Sequence, residues 1–101
     1  MKEQALARYL SIQAETIALA RESASVLTKD QAAFALDGMV EVGEEFAALE
    51  TCWYMIDDCE LVVPSELVEK VRAFLDKYPP DPDSEFLDIL DDAAARATAA
   101  A

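Results

Sequence analysis

Only two glycines and four prolines interrupt 101 residues, and three of those prolines fall in one stretch, Pro79-Pro80-Asp81-Pro82. A strand-dense fold reverses direction every few residues and relies on such positions to do so. This chain cannot supply the reversals. Nineteen alanines, the strongest helix former and a small contributor of buried volume, point the other way. The expectation is an all-α, single-domain helical bundle of about five helices spanning residues 1–101, with a modest core over about 3–97 and Ala99-Ala100-Ala101 frayed. A chain of this length can bury one core without disulfide support.

The periodicity divides the chain accordingly. A first helix is read from about Glu3 to Ala24, with a broad stripe of Leu6, Tyr9, Ile12, Gln13, Thr16, Ile17, Leu19 and Ala20. Thr28-x-x-Gln31 has the form of a capping box opening a second helix. That helix carries Ala32, Leu36, Met39 and Val40 on one side and stops near Gly43. A third is read from Glu44 to Cys59. Stepping about 100° per residue puts Phe46, Cys52, Trp53 and Ile56 within about 60° of Leu49, and Glu50, Thr51, Tyr54 and Asp58 opposite, with Asp57 at the margin. Leu61-Val62-Val63-Pro64 reads as an extended connector, because the residue before proline is held out of the helical region. Ser65 is the expected N-cap of a fourth helix, Glu66 to Tyr78, burying Leu67, Val71, Phe74, Leu75 and Tyr78. After the proline cluster, Asp83 or Ser84 caps a fifth, Glu85 to about Thr98, with Phe86, Leu87, Leu90, Ala94 and Ala97 inward.

Charge is where the chain departs from an ordinary helical bundle. The formal net charge is −13, and from Asp30 to Glu69 there are eleven acidic residues with no lysine or arginine among them. Such a block repels nucleic acid and anionic membranes and attracts a basic surface, guiding it at long range. The position of the acids matters as much as their number. Glu44 and Glu45 open the third helix, where the macrodipole welcomes them, and they read as structural. Asp57, Asp58 and Glu60 sit at its C-terminal end, where the dipole disfavours each by about 0.3–1 kcal/mol. Asp37 and Glu41 form a like-charge i,i+4 pair that costs a few tenths more. Either basic residues from other helices pair with these acids, or the chain tolerates the cost in order to bind something. Tyr54, between Glu50 and Asp58, adds a side chain of the type enriched at interface hot spots.

Catalysis is not expected. The absence of histidine removes histidine acid–base chemistry, the Ser-His-Asp arrangement and histidine-containing metal sites. Asp57 and Asp58 point about 100° apart on a helix and do not converge on one atom. Asp81-x-Asp83-x-Glu85 resembles the start of a calcium loop, but Phe86 stands where glycine is required and Asp92 where the bidentate glutamate belongs. Gly38 and Gly43 are isolated and build no phosphate loop. No cofactor, metal or small-molecule substrate is expected. Cys52 and Cys59 are two helical turns apart, about 10 Å, too far for a disulfide, and both read as core thiols of a reducing compartment. Met1-Lys2-Glu3-Gln4 leads into an amphipathic pattern with no apolar h-region, and no stretch approaches the roughly 18 apolar residues of a membrane span. Cytoplasmic residence is the expectation.

Gly43-Glu44, Ala48-Leu49-Glu50, Asp57-Asp58 and Val63-Pro64-Ser65-Glu66-Leu67 follow one another in the order found in MafI-type immunity proteins of bacterial polymorphic toxin systems, which the segment 34–78 resembles. The departure is at the position after Gly-Glu, where Glu45 replaces an aromatic and Phe46 comes one residue late. The resemblance implies a small all-helical cytoplasmic protein that binds and neutralises a cognate toxin domain, often a nuclease. A nuclease presents a basic cleft to hold its polyanion, and an acidic helical protein can occupy it. The expected partner is therefore a cognate toxin C-terminal domain with a basic surface, and not nucleic acid, a membrane or a small molecule. The expected contact residues are Asp37, Glu41, Glu50, Tyr54, Asp57, Asp58 and Glu60. Two other readings remain open. One is an acidic adaptor or nucleic-acid mimic acting on a DNA- or RNA-binding protein. The other is a helical subunit of a homo-oligomer, for which only the first helix offers a wide apolar stripe.

Overall fold

The computed structural model describes residues 2–37, 44–77 and 84–100. They form five helices, α1 (Lys2–Ala24), α2 (Lys29–Leu36), α3 (Glu45–Asp58), α4 (Ser65–Lys77) and α5 (Ser84–Ala100), and no strand is present among them. The all-α bundle expected from the turn-poor, alanine-rich sequence is what the chain adopts.

Helix α3 is the centre, packing on α1, α2 and α5, while α4 packs on α5 and α1. Side-chain pairs set the directions. Gln13 meets Glu45, the Cys52 thiol meets the Ala20 carbonyl, and Trp53 meets Ser23, so α1 and α3 run parallel in nearly constant register. Phe46 faces Phe86, with ring centroids 6.2 Å apart, and Asp57 faces Arg96, so α5 runs parallel to both. The Gln31–Cys59 contact turns α2 antiparallel to α3. The Arg72–Asp91 ion pair and the shared groove of Ser65 and Thr98 turn α4 antiparallel to α5.

The core follows the period-3.6 pattern. Leu49, Cys52, Trp53 and Ile56 are fully buried, joined by Leu19, Ala20 and Ala24 from α1, Leu67, Val68, Val71, Phe74 and Leu75 from α4, and Phe86, Ile89, Leu90 and Ala93 from α5. Small residues on α1 let α3 approach closely. The indole N–H of Trp53, buried and in need of a partner, donates to Ser23 Oγ at 3.0 Å. Thr28 closes the expected capping box with Gln31, its hydroxyl accepting from the Gln31 N–H at 3.2 Å while the Gln31 side-chain oxygen accepts from the Thr28 N–H at 3.1 Å.

Several expectations are corrected. Helix α2 spans Lys29–Leu36 with Asp37 as its C-cap, its buried residue is Ala35, and the expected stop near Gly43 lies outside the described residues. Met39, Val40 and Tyr78, expected inward, lie outside the described residues, as does Asp83. Ser65 is the first residue of α4 and not its cap. The Pro64 carbonyl, held outside the helix by the extended connector, accepts from Leu67 N at 3.0 Å and Val68 N at 3.4 Å. Leu87 is exposed and Ile89 takes the core position, a rotation of the α5 face toward α3. Helix α5 continues to Ala100, past the expected end at Thr98. Among the described residues no helix is long and apolar enough to cross a membrane.

The two cysteines part company. Cys52 is buried, and that burial pushes its thiol up to about 11 against the ordinary 9.0. Cys59 caps α3 at the surface, in contrast to the core role expected of it, because the helix unwinds there and turns the residue out. A thiol reagent is expected to titrate one cysteine in the native protein and two in denaturant, with Cys59→Ser silencing the native reaction. A second test probes the core polar pair. Ser23→Ala leaves the Trp53 N–H buried without its partner and is expected to cost about 1–3 kcal/mol in urea unfolding, far more than a typical loss of one hydroxyl at a surface.

Candidate functional site

Helix α3 ends in a Schellman arrangement. The Leu61 N–H donates to the Ile56 carbonyl and the Glu60 N–H to the Asp57 carbonyl, both at 3.0 Å. That closure needs a left-handed residue between Cys59 and Leu61, and Glu60 supplies it at φ 50°. Glycine is the usual occupant, because a Cβ in this conformation costs about 1–2 kcal/mol. The strain places a carboxylate at the tip of the turn, exposed, beyond the helix end.

The neighbouring acids arrange themselves around one cation from α5. Arg96 donates through Nε to the Leu61 carbonyl at 2.9 Å, fastening the α3–α4 connector to α5. Its Nη1 lies 3.9 Å from Asp57, a loose ion pair, and its Nη2 is buried without a hydrogen-bond partner. Asp57, Glu60, Asp92, Ala95 and Arg96 line an open depression of about 510 Å³. Asp58 and Glu60 stand exposed and form no ion pair with any described residue. Of the two possibilities for the acids at this helix end, pairing from another helix is thus realised at Asp57, while the charges of Asp58 and Glu60 remain directed at solvent.

The other expected contact residues distribute unevenly. Tyr54 and Glu50 lie one and two turns before Asp58 on the same side of α3, both half-buried, and the Tyr54 ring packs against the core. Asp37 caps the far end of α2, exposed. Gln31 at the first turn of α2 touches Cys59, so Asp37 sits about 9 Å further along the bundle from the α3 terminus. Glu41 lies outside the described residues. The fold therefore gathers Asp57, Asp58 and Glu60, extends that patch along α3 through Tyr54 and Glu50, and sets Asp37 apart. Glu45 is buried and accepts from Gln13 Nε2 at 2.7 Å, in keeping with a structural role at the start of α3.

Two residues of this region are absent from the sequence reading as members of a site, Asp92 and Arg96. Their i,i+4 spacing on α5 was a visible signal, as was Arg96 being the only base after Lys77. What could not be seen was that α5 would run parallel to α3 and bring them to its C-terminus. Asp81 and Asp83 of the calcium-like stretch lie outside the described residues, and Glu85 stands in the first turn of α5.

Comparison with protein-family models, with curated proteins and with solved structures finds no match.

The geometry at Glu60 separates folding from binding. Glu60→Gly is expected to raise stability by about 0.5–1 kcal/mol in urea unfolding, since glycine adopts the left-handed turn without the Cβ penalty but loses more backbone freedom on folding. The same change removes a carboxylate from the tip of the acidic patch.

Proposed function

We propose that this chain is an immunity protein of a bacterial polymorphic toxin system. It binds a cognate toxin domain, a nuclease in the reading favoured here, and neutralises it in the cytoplasm by stoichiometric occlusion and not by catalysis. The observation that carries the reading is the acidic end of α3. Asp58 and Glu60 are exposed and unpaired among the described residues, at a helix terminus whose dipole disfavours them, and Glu60 holds a strained backbone position. The resemblance of residues 34–78 to MafI-type immunity proteins supports the same conclusion.

The mechanism follows from electrostatics. A nuclease cleft is lined with Lys and Arg that would otherwise neutralise phosphates. A patch of carboxylates fixed on a helix end and a tight turn can meet those cations with little ordering cost, because the backbone beneath it is already set by Arg96 and the Schellman closure. Long-range attraction from the net charge of −13 accelerates encounter, which is the quantity that matters when the partner is lethal to the cell. Tyr54, half-buried beside Glu50, would supply apolar contact at the edge of the patch.

Capture on the tagged protein from the native bacterium, followed by mass spectrometry at low and high salt, is the first test. The expected result is one basic toxin fragment whose recovery falls as salt rises. A chromosomal nucleic-acid-binding protein in its place would favour the adaptor reading. With the partner in hand, Asp58→Lys combined with Glu60→Lys is expected to slow association by about tenfold or more at low salt, with the helical CD spectrum unchanged. Both side chains are exposed, so an unchanged association rate would remove the acidic end from the interface.

A further inference from the structure

Among the described residues, no other helix is as long as α1. It runs parallel to α3, and Gln13 lies against Glu45, the first residue of α3. Upstream of Gln13 the helix continues past the start of α3, and every residue from Glu3 to Ser11 is exposed. The long dimension of the molecule, 47 Å against 27 and 21, reflects this arm. The seam that α1 turns toward the core follows a 4-3 spacing through Gln13, Thr16, Ala20 and Ser23, the last three buried. The same spacing extends upstream to Tyr9 and Leu6, which are 49% and 58% exposed, with Leu10 beside them at 50%. Over two further turns the helix presents a core-type face that meets no buried core among the described residues.

We propose that this arm pairs with the same arm of a second copy, antiparallel about a two-fold axis. The charge distribution selects the occupant. Residues 1–14 carry only Lys2, Glu3 and Arg8, so all of the net negative charge lies elsewhere in the chain. Two copies can therefore approach through their arms with the least repulsion, whereas any pairing of body faces sets acid against acid. A basic partner of the kind proposed above gains nothing from this slightly basic arm, and an anionic membrane is repelled by the rest of the protein. Antiparallel pairing is favoured over parallel for the same reason. It sends the two bodies to opposite ends, separated by an arm length of about 15 Å, roughly two Debye lengths at physiological salt.

Shape agrees with this register. With the axis between Ala7 and Arg8, Leu6 faces the partner's Tyr9 and Leu10 faces the partner's Ala5, so the apolar positions of the two arms meet along one seam. Such a contact covers roughly 1,000 Å² in total, the low end for a specific interface and the scale of a reversible dimer. The inference does not depend on the proposed toxin partner. It assigns self-association to one end of the molecule and leaves the acidic end free.

Sedimentation equilibrium of the full chain, from low micromolar to millimolar concentration at low and high salt, tests it. The expected result is a monomer–dimer equilibrium that tightens several-fold as salt screens the repulsion between bodies. Leu6→Glu combined with Leu10→Glu is expected to abolish the dimer and leave the CD spectrum and thermal unfolding of the body unchanged, since both side chains are exposed in the monomer. Asp58→Lys with Glu60→Lys should leave the dimer intact. A chain that stays monomeric at millimolar concentration overturns the proposal. So does a dimer that survives the double glutamate substitution, or one that weakens with salt.

Discussion

The Trp53 side chain is fully buried in an apolar core, and its one polar atom must find an acceptor there. Ser23 is that acceptor, itself completely buried, and the pair can form only if these two positions of α1 and α3 lie at the same height. Ala20 beneath it brings the backbones close enough for the Cys52 thiol to reach the Ala20 carbonyl at 3.6 Å. Gln13 and Glu45 repeat the register at the other end. These three contacts on one helix pair hold α3 in place, and α3 in turn presents faces to α2 and α5. An apolar seam alone tolerates sliding by a turn, whereas a buried donor with one acceptor within reach does not.

Once that register is set, the two ends of the molecule acquire different characters. Helix α3 begins opposite Gln13, so the first half of α1 has no neighbour from α3 and its apolar side chains face solvent. At the opposite end, α3 outlasts α1, and its final turn must be closed by its own backbone and by α5. Arg96 does this by taking the Leu61 carbonyl and standing near Asp57. A lysine at that position could hold one of these groups but could not fork between them. The depression lined by Asp57, Glu60 and Asp92 is thus a consequence of where two parallel helices of unequal length stop.

Much of the fold was legible in the sequence, and the illegible parts share a cause. The inward face of α3 was readable because Leu49, Cys52, Trp53 and Ile56 recur at helical spacing with acids opposite. The capping box was readable because Thr28 and Gln31 satisfy each other locally. What failed depended on neighbours. The stripe on α1 was read correctly in direction, but a stripe does not say where the covering helix begins, so Leu6 and Tyr9 were indistinguishable from Thr16 and Ala20. Leu87 and Ile89 are both apolar, and only the tilt of α5 against α3 decides between them. Cys59 looked like core on a helical wheel, but the wheel does not stop at Asp58 and the helix does. At the site, Asp57, Asp58 and Glu60 could be grouped from sequence because they share one helix end. Arg96 could not be placed beside them without knowing that α5 runs parallel to α3. Separating Asp37 from that group likewise required knowing that α2 runs antiparallel to α3.

The direction of the helices also bears on the sign of the potential at the acidic end. Helices α1, α3 and α5 all point their C-terminal carbonyls toward it, while only α2 and α4 bring N-termini. The partial charges at helix ends therefore add to the carboxylates instead of offsetting them. A bundle optimised for stability would place lysines there, as the last turn of α4 does with Lys77 at the other end. Here the last turns of α3 and α5 contain no base within their final four residues, that of α1 holds Arg21, and Arg96 is partly committed to a backbone carbonyl. Negative side chains, negative helix ends and a strained glutamate thus coincide at one pole, while the acid-poor arm occupies the other. Folding alone rewards neither arrangement. The proposed division of labour between the poles, one for a basic partner and one for a second copy, would account for both.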